Sequence, residues 1–415
     1  MLPLVREFVP QARLEESGGK GVLVAILDTW PYYDGDAAAL PGGAAAAHVR
    51  IQNFVAANAA TVDPDVGRLL TIPPQRIYSR IDPRAAHGVR CYYLNDNAVA
   101  EKPYDMASHG LFVTGIIQDM APDAQISVYR VLDDNGVGDL AVIAKAMQDA
   151  LAEARCNGKK LVLNMSLGVA PPIWLMEALL ADDDCFFGKP SELRRAILRS
   201  AFKTVSRSLQ ESMDDWEALG LISQASRQFT GMLQIVDAVL SIKRSPDALL
   251  IAAAGNDSFG DSRRMGPRLP AALEGALAVS SHLPTARPWP LSRYSNDDDF
   301  FTDNDGVGAF GGDTVPDPVD DGSDSADPGR TAPLSVIAPY IREPLPEPPG
   351  QPAHNSRGLA YWSGTSFATP VAAGFAASMW SADLSQASGS VYRRVVFDGK
   401  GQDREALPFT QRFSP

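Results

Sequence analysis

Val22-Leu23-Val24-Ala25-Ile26-Leu27-Asp28-Thr29 is the stretch from which the rest of the chain can be read. Its six consecutive apolar residues, three of them β-branched, are too few for an ordinary buried helix. They are also too uniformly apolar for a strand with one wet face. Such a run fits a strand covered on both sides, as in a parallel sheet. The run ends in a carboxylate. Open α/β sheets gather functional groups beyond the C-terminal ends of their strands. Asp28 is therefore placed to orient an imidazole, although a lone Asp at a strand end is more often a cap or turn residue.

Outward from that stretch, similar runs recur at residues 126–131, 161–165, 248–253, 276–280 and 334–338. Helical patterns separate them, the clearest over residues 139–154. Strand-helix alternation predicts a doubly wound α/β/α fold with a central, mainly parallel sheet. No internal repeat is present, and residues 1–415 read as one domain. Three segments break the rhythm. Residues 36–104 are rich in Ala, Gly and Pro without a strong period. Residues 171–221 read as extra helix. Residues 296–329 form an acidic segment without Lys or Arg, expected to be a loop. In the helical insertion, Leu193, Ile197, Ala201, Val205 and Leu209 repeat every four residues, and Arg195, Arg199, Lys203 and Arg207 do likewise two positions later. Two positions are about 200° around a helix, so the stripes face opposite ways. The basic stripe is expected to face water, to meet the acidic loop, or to receive a regulatory partner.

The chain's 415 residues, 45% hydrophobic, are enough for a large core, and the net charge is -13. A chain this acidic is repelled by phosphate backbones, so nucleic acid is not an expected partner. Cys91, Cys156 and Cys185 are odd in number and far apart, which argues against a disulfide framework or a Cys metal site. Charges at Arg6, Glu7, Arg13, Glu15 and Glu16 interrupt the N-terminal apolar residues, so neither a signal core nor a membrane span is expected there. With Met1 as the natural start the chain reads as cytoplasmic. If a leader had been removed it would read as secreted.

Three further motifs carry chemistry. Gly364-Thr365-Ser366-Phe367-Ala368-Thr369-Pro370, followed by Val371-Ala372-Ala373-Gly374, sets one serine among small residues where an apolar helix opens. Free N–H groups and the positive end of the helix dipole then lie beside the hydroxyl, where an oxyanion could be held. Ser108-His109-Gly110-Leu111-Phe112-Val113-Thr114-Gly115 opens another apolar helix on a histidine. The rival His87-Gly88 has no such helix behind it. Ala254-Gly255-Asn256-Asp257 ends a strand on an amide that could donate to an oxyanion, although Gly-Asn is also a common turn.

Together these residues resemble the subtilisin-like serine peptidases. Leu27-Asp28-Thr29, His109-Gly110, Ala254-Gly255-Asn256 and Gly364 to Pro370 match the family's Asp, His, oxyanion and Ser motifs, in the family's chain order. Trp30 stands where the family usually has Gly, and Leu111 where it has Thr. These departures are expected to alter substrate fit, since neither side chain transfers protons. The resemblance runs in blocks from about Gly21 to Trp380. It implies a subtilisin-like domain and a serine endopeptidase with Asp28, His109 and Ser366 as its triad and Asn256 in the oxyanion hole. It also implies that Gly136, Gly138, Ser166, Leu167, Gly168 and Gly255 meet the backbone of a peptide or protein substrate. The chemistry needs no cofactor and no metal. Many family members hold structural calcium, but the Asp-rich stretch 297–327 fails the EF-hand spacing, so calcium is left without a site. The helical insertion and the acidic loop are expected to rim the cleft, in keeping with a dedicated intracellular processing enzyme. The alternative is a catalytically inactive protein that keeps the fold as a scaffold or binding module.

Overall fold

The computed structural model describes residues 18–30, 60, 62, 64–69, 76–77, 90–95, 98–103, 106, 108–132, 136–169, 230–258, 265–283, 290–297, 306–312, 336–339 and 359–400. The strands are β1 (Val22–Asp28), β2 (Arg76–Ile77), β3 (Arg90–Asn95), β4 (Ala98–Pro103), β5 (Gln125–Arg130), β6 (Lys160–Met165), β7 (Ala248–Ala253), β8 (Ala276–His282), β9 (Val307–Phe310), β10 (Val336–Pro339) and β11 (Leu359–Trp362). The helices are α1 (Pro64–Leu69), α2 (His109–Met120), α3 (Leu140–Cys156), α4 (230–243), α5 (Thr365–Ala382) and α6 (Ser388–Lys400).

Seven strands form the main sheet in the order β2-β5-β1-β6-β7-β8-β9, and every neighbouring pair is parallel. All seven residues of β1 are buried, which is why the run shows no polar alternation. The period of two survives in where the side chains go. Val22, Val24 and Ile26 enter one core with α2 and α5. Leu23, Ala25 and Leu27 enter the other with α3 and α4. The expected doubly wound α/β fold is the fold observed. Chain order reverses around β1, which has β5 on one side and β6 on the other. A crevice opens at such a switch point beyond the strand ends, and Asp28 stands there.

The structure corrects three expectations. Residues 336–339 are not part of the parallel sheet, because β10 pairs antiparallel with β11 in a separate two-stranded sheet. Residues 307–310, read as part of an acidic loop, form β9, a buried strand parallel to β8. Four apolar or small residues among Asp and Gly are too few to show a pattern, and the neighbouring strand supplies the rest. The segment 36–104 contains α1, β2 and a β3–β4 hairpin that pairs Arg90 with Pro103 and Asn95 with Ala98. The helical insertion 171–221 and residues 298–305 and 313–335 of the acidic segment lie outside the described residues, with the rim and partner readings attached to them. Among the described residues no helix is long and apolar enough to cross a membrane.

Candidate active site

Three chain segments converge beyond the C-terminal ends of β1, β6 and β7. The first is the end of β1 with the start of α2. His109 Nδ1 donates to Asp28 Oδ1 at 2.8 Å, and the backbone N–H of Thr29 donates to the same oxygen at 2.6 Å. Both side chains are buried, and Asp28 Oδ2 is buried without a partner among the described residues. A carboxylate only accepts, so Nδ1 carries a proton and Nε2 is the ring nitrogen left for another partner. Gly110 allows the approach: a Cβ there would lie 2.0 Å from Thr29 O and 3.0 Å from Asp28 Cβ. Thr29 Oγ1 fastens the junction by accepting from Gly110 N at 3.1 Å and donating to Met106 O at 2.7 Å.

Aromatic rings wall the imidazole. Its centroid lies 5.5 Å from Trp362, edge-on, and 5.3 Å from Phe367. Phe112 packs on both of these rings at 5.8 and 4.5 Å. Trp362 and Phe367 were not singled out from the sequence. Their signal was proximity to Ser366, and only the fold brings that proximity to His109. Trp30 and Leu111, expected to alter substrate fit, are instead fully buried in the core on the α2 and α5 face. Their side chains fill the interior rather than lining the cleft. The side chain of Leu167 also joins a core, leaving that position only its backbone to offer.

The second and third segments are the N-terminus of α5 and the exits of β6 and β7. Ser366 is the second residue of α5 and half-buried. Asn256 Oδ1 accepts from Thr365 N and from Thr365 Oγ1, both at 2.9 Å, and Thr365 Oγ1 accepts from Gly255 N at 3.2 Å. With its oxygen occupied, the exposed Asn256 amide presents Nδ2 as a donor. The Ser366 N–H makes no hydrogen bond among the described residues, as expected in a first helical turn. Pro370 has no N–H to satisfy the Ser366 carbonyl, and Ser166 Oγ donates to it instead at 2.7 Å. Thr365 and Ser166 thus align the site from behind.

The Ser366 hydroxyl donates to Ser166 O at 3.1 Å, not to His109 as a triad reading anticipates. Hydrogen bonds of resting catalytic sites are often formed only with substrate in place. Of the other candidates, Gly136 has φ 76° and lies beside Met106, and Gly138 forms an antiparallel bridge with Leu132. Val137 between them has its side chain 58% exposed. Among the described residues no cluster of three or more His, Cys, Asp or Glu could hold a metal ion. Cys156 is an exposed free thiol.

No curated protein matches the sequence. Among solved structures, the chain is similar to a lanthipeptide protease at 18% identity, covering 96% of this chain and 87% of that one, with a TM-score of 0.46. It is similar to Sphericase at 18% identity, with 97% of each chain covered and a TM-score of 0.44. It is also similar to an S41 psychrophilic protease at 19% identity, covering 96% and 93%, with a TM-score of 0.44. The model of the Subtilase family of peptidases matches residues 19–401, nearly the whole chain, and this protein therefore belongs to that family.

Proposed function

We propose that this chain is an active serine endopeptidase in which Ser366 is the nucleophile, His109 the general base and acid, and Asp28 the group that fixes the imidazole. The observation that carries this reading is the buried 2.8 Å bond between Asp28 and His109 Nδ1, on a ring that packs against Phe367, the residue next to Ser366. In the reaction the Ser366 hydroxyl would leave Ser166 O and give its proton to His109 Nε2. Oγ then attacks the scissile carbonyl, the proton passes to the departing amine, and Asp28 stabilises the imidazolium between those steps. Asn256 Nδ2 and Ser366 N–H would hold the oxyanion. A peptide is read as an added strand between the edges at Gly136–Gly138 and Ser166–Gly168, with Gly255 closing the acyl side. No cofactor enters these steps.

The test is labelling with a fluorophosphonate probe. One serine, Ser366, should react. Labelling should vanish in Ser366→Ala and fall sharply in His109→Ala, while His87→Ala stays near wild type. Equal loss from His87→Ala would refute the triad, and an unreactive wild-type chain would favour the inactive scaffold.

A further inference from the structure

β6 and β7 are adjacent strands, and the segments that leave them flank Ser366. Ser366 bonds to Ser166 on one side, and Thr365 ties the helix to Gly255 and Asn256 on the other. Arg268 stands between these segments. Its backbone N–H donates to Ala254 O at 2.8 Å. A Cβ built on Gly168 would lie 3.3 Å from Arg268 Cβ and Cδ, and one built on Gly255 would lie 3.2 Å from its Cγ and Cδ. The aliphatic stem therefore rests against two glycines. Gly255, at φ 112°, favours glycine on its own account.

The head group is held as firmly. Nε and Nη2 of Arg268 each bond to a different oxygen of Asp257, and Asn296 Nδ2 donates to Asp257 Oδ2 at 3.1 Å. Both carboxylate oxygens are thus taken. Nη1 makes no hydrogen bond among the described residues, and the arginine side chain is 34% exposed. Nη1 is thus a donor left over after both Asp257 oxygens are taken.

We propose that Arg268 is a specificity-determining residue that receives the carboxylate of an Asp or Glu on the residue whose carbonyl Ser366 attacks. This rests on the peptidase reading above. In this proposal the carbonyl oxygen is held by Asn256 and the Ser366 N–H, and that residue's side chain lies along segments 166–168 and 254–256, the two segments that bond to the Ser366 helix and pack on Arg268. A carboxylate finds the unused Nη1 donors there. A lysine meets a guanidinium whose counter-charge is already bound, and a large apolar side chain must cover an ion pair that now keeps contact with water. Asp257 and Asn296 hold the guanidinium in place.

The experiment compares kcat/KM for peptides identical except for Glu, Gln, Leu or Lys at that position, at low and high salt. Glu should exceed Gln by about 10-fold, the lower end expected for a charge-assisted bond to a part-exposed group. Lys should be slowest, and the advantage of Glu should shrink with salt. Arg268→Gln should bring the Glu to Gln ratio close to one, Arg268→Lys should retain part of it, and Asp257→Asn should widen it by removing the competing charge. A wild-type ratio at or below one overturns the proposal, as does a Glu preference that survives in Arg268→Gln. If Arg268→Gln does not fold, the wild-type ratio and Arg268→Lys decide. An enzyme that reacts with fluorophosphonate and cuts peptides without preferring Glu refutes the role of Arg268 alone. A wild-type chain that does not react defeats the peptidase reading and this proposal with it.

Discussion

Helix α3 on one face of the sheet and helices α2 and α5 on the other begin in different ways. Asp139 caps α3 with its own side chain, accepting from Ala141 N at 2.8 Å and Val142 N at 3.2 Å. Its buried residues, Ile143, Ala144, Ala146, Met147, Ala150, Leu151 and Ala154, form one stripe, and Glu153 accepts from Ser127 and Tyr129 of β5. Neither Ser108 before α2 nor Gly364 before α5 makes a side-chain cap. Their first-turn groups are satisfied from elsewhere, by Thr29 for Gly110 and by Asn256 for Thr365, or left open, as for Ser366 N. A locally capped helix spends its N-terminal donors on itself, whereas a helix capped by distant residues keeps one donor for a ligand. The face with borrowed caps is the face that carries His109 and Ser366.

That contrast can be broken first at its chemistry. Ser366→Ala should lower kcat by about 10⁶-fold, the scale for loss of a nucleophile that acts as one unit with its base. Steady-state hydrolysis measures it, and residual activity within 100-fold of wild type would remove Ser366 from the role. Asn256→Ala comes next, with kcat reduced by roughly 10²–10³ and KM little changed, because its bond to the oxyanion forms mainly in the transition state. A change confined to KM would show that Asn256 only binds substrate.

The borrowed caps themselves can be tested at Gly110 and Thr365. Gly110→Ala drives a methyl into Thr29 O and should cost roughly 3 kcal/mol, the upper part of the overpacking range, read from urea unfolding. Thr365→Val keeps the backbone bond to Asn256 Oδ1 but loses both hydroxyl bonds, the one donated to Asn256 Oδ1 and the one accepted from Gly255 N. It should lower kcat by about 10-fold, the scale of one to two neutral hydrogen bonds. An unchanged kcat would mean that the backbone N–H alone orients the amide. The locally capped helix gives the smallest effect. Asp139→Ala should lower stability by about 1 kcal/mol, while Ser366 keeps its reactivity toward a small fluorophosphonate. Loss of labelling there would mean that the two faces are not separable.

Much of this was legible in the chain. The runs at 22–27, 161–165 and 248–253 reappear as central strands within a residue, because a strand buried on both faces writes an uninterrupted apolar run. The helix read at 139–154 appears as α3 with Asp139 as its cap. The run at 334–338 does contain a strand, β10, but not one of the main sheet, because apolar content does not name the partner strand, and its partner β11 is antiparallel. β9 was missed because four residues carry too little pattern, yet it matters to the site. Gly311, just past β9, accepts from Gly364 N at 2.9 Å and so sets the start of α5. Behind it, Ser281, Ser292 and Tyr294 close a buried hydroxyl network on Gly312 O.

The sequence by itself determined the residue types of the site and their order along the chain, because each motif is local: a strand end, two helix starts, a Gly-Asn turn. It also determined the layered fold, since hydrophobic period is a property of neighbours in sequence. Only the tertiary structure decided which groups meet. It brought Asp28 to His109 across 81 positions and Ser166 to Ser366 across 200. It turned Trp30 and Leu111 inward and set Arg268 and Asp257 beside the cleft. Those pairings depend on strand order, crossing helices and close glycine contacts, and these are set by packing between distant segments.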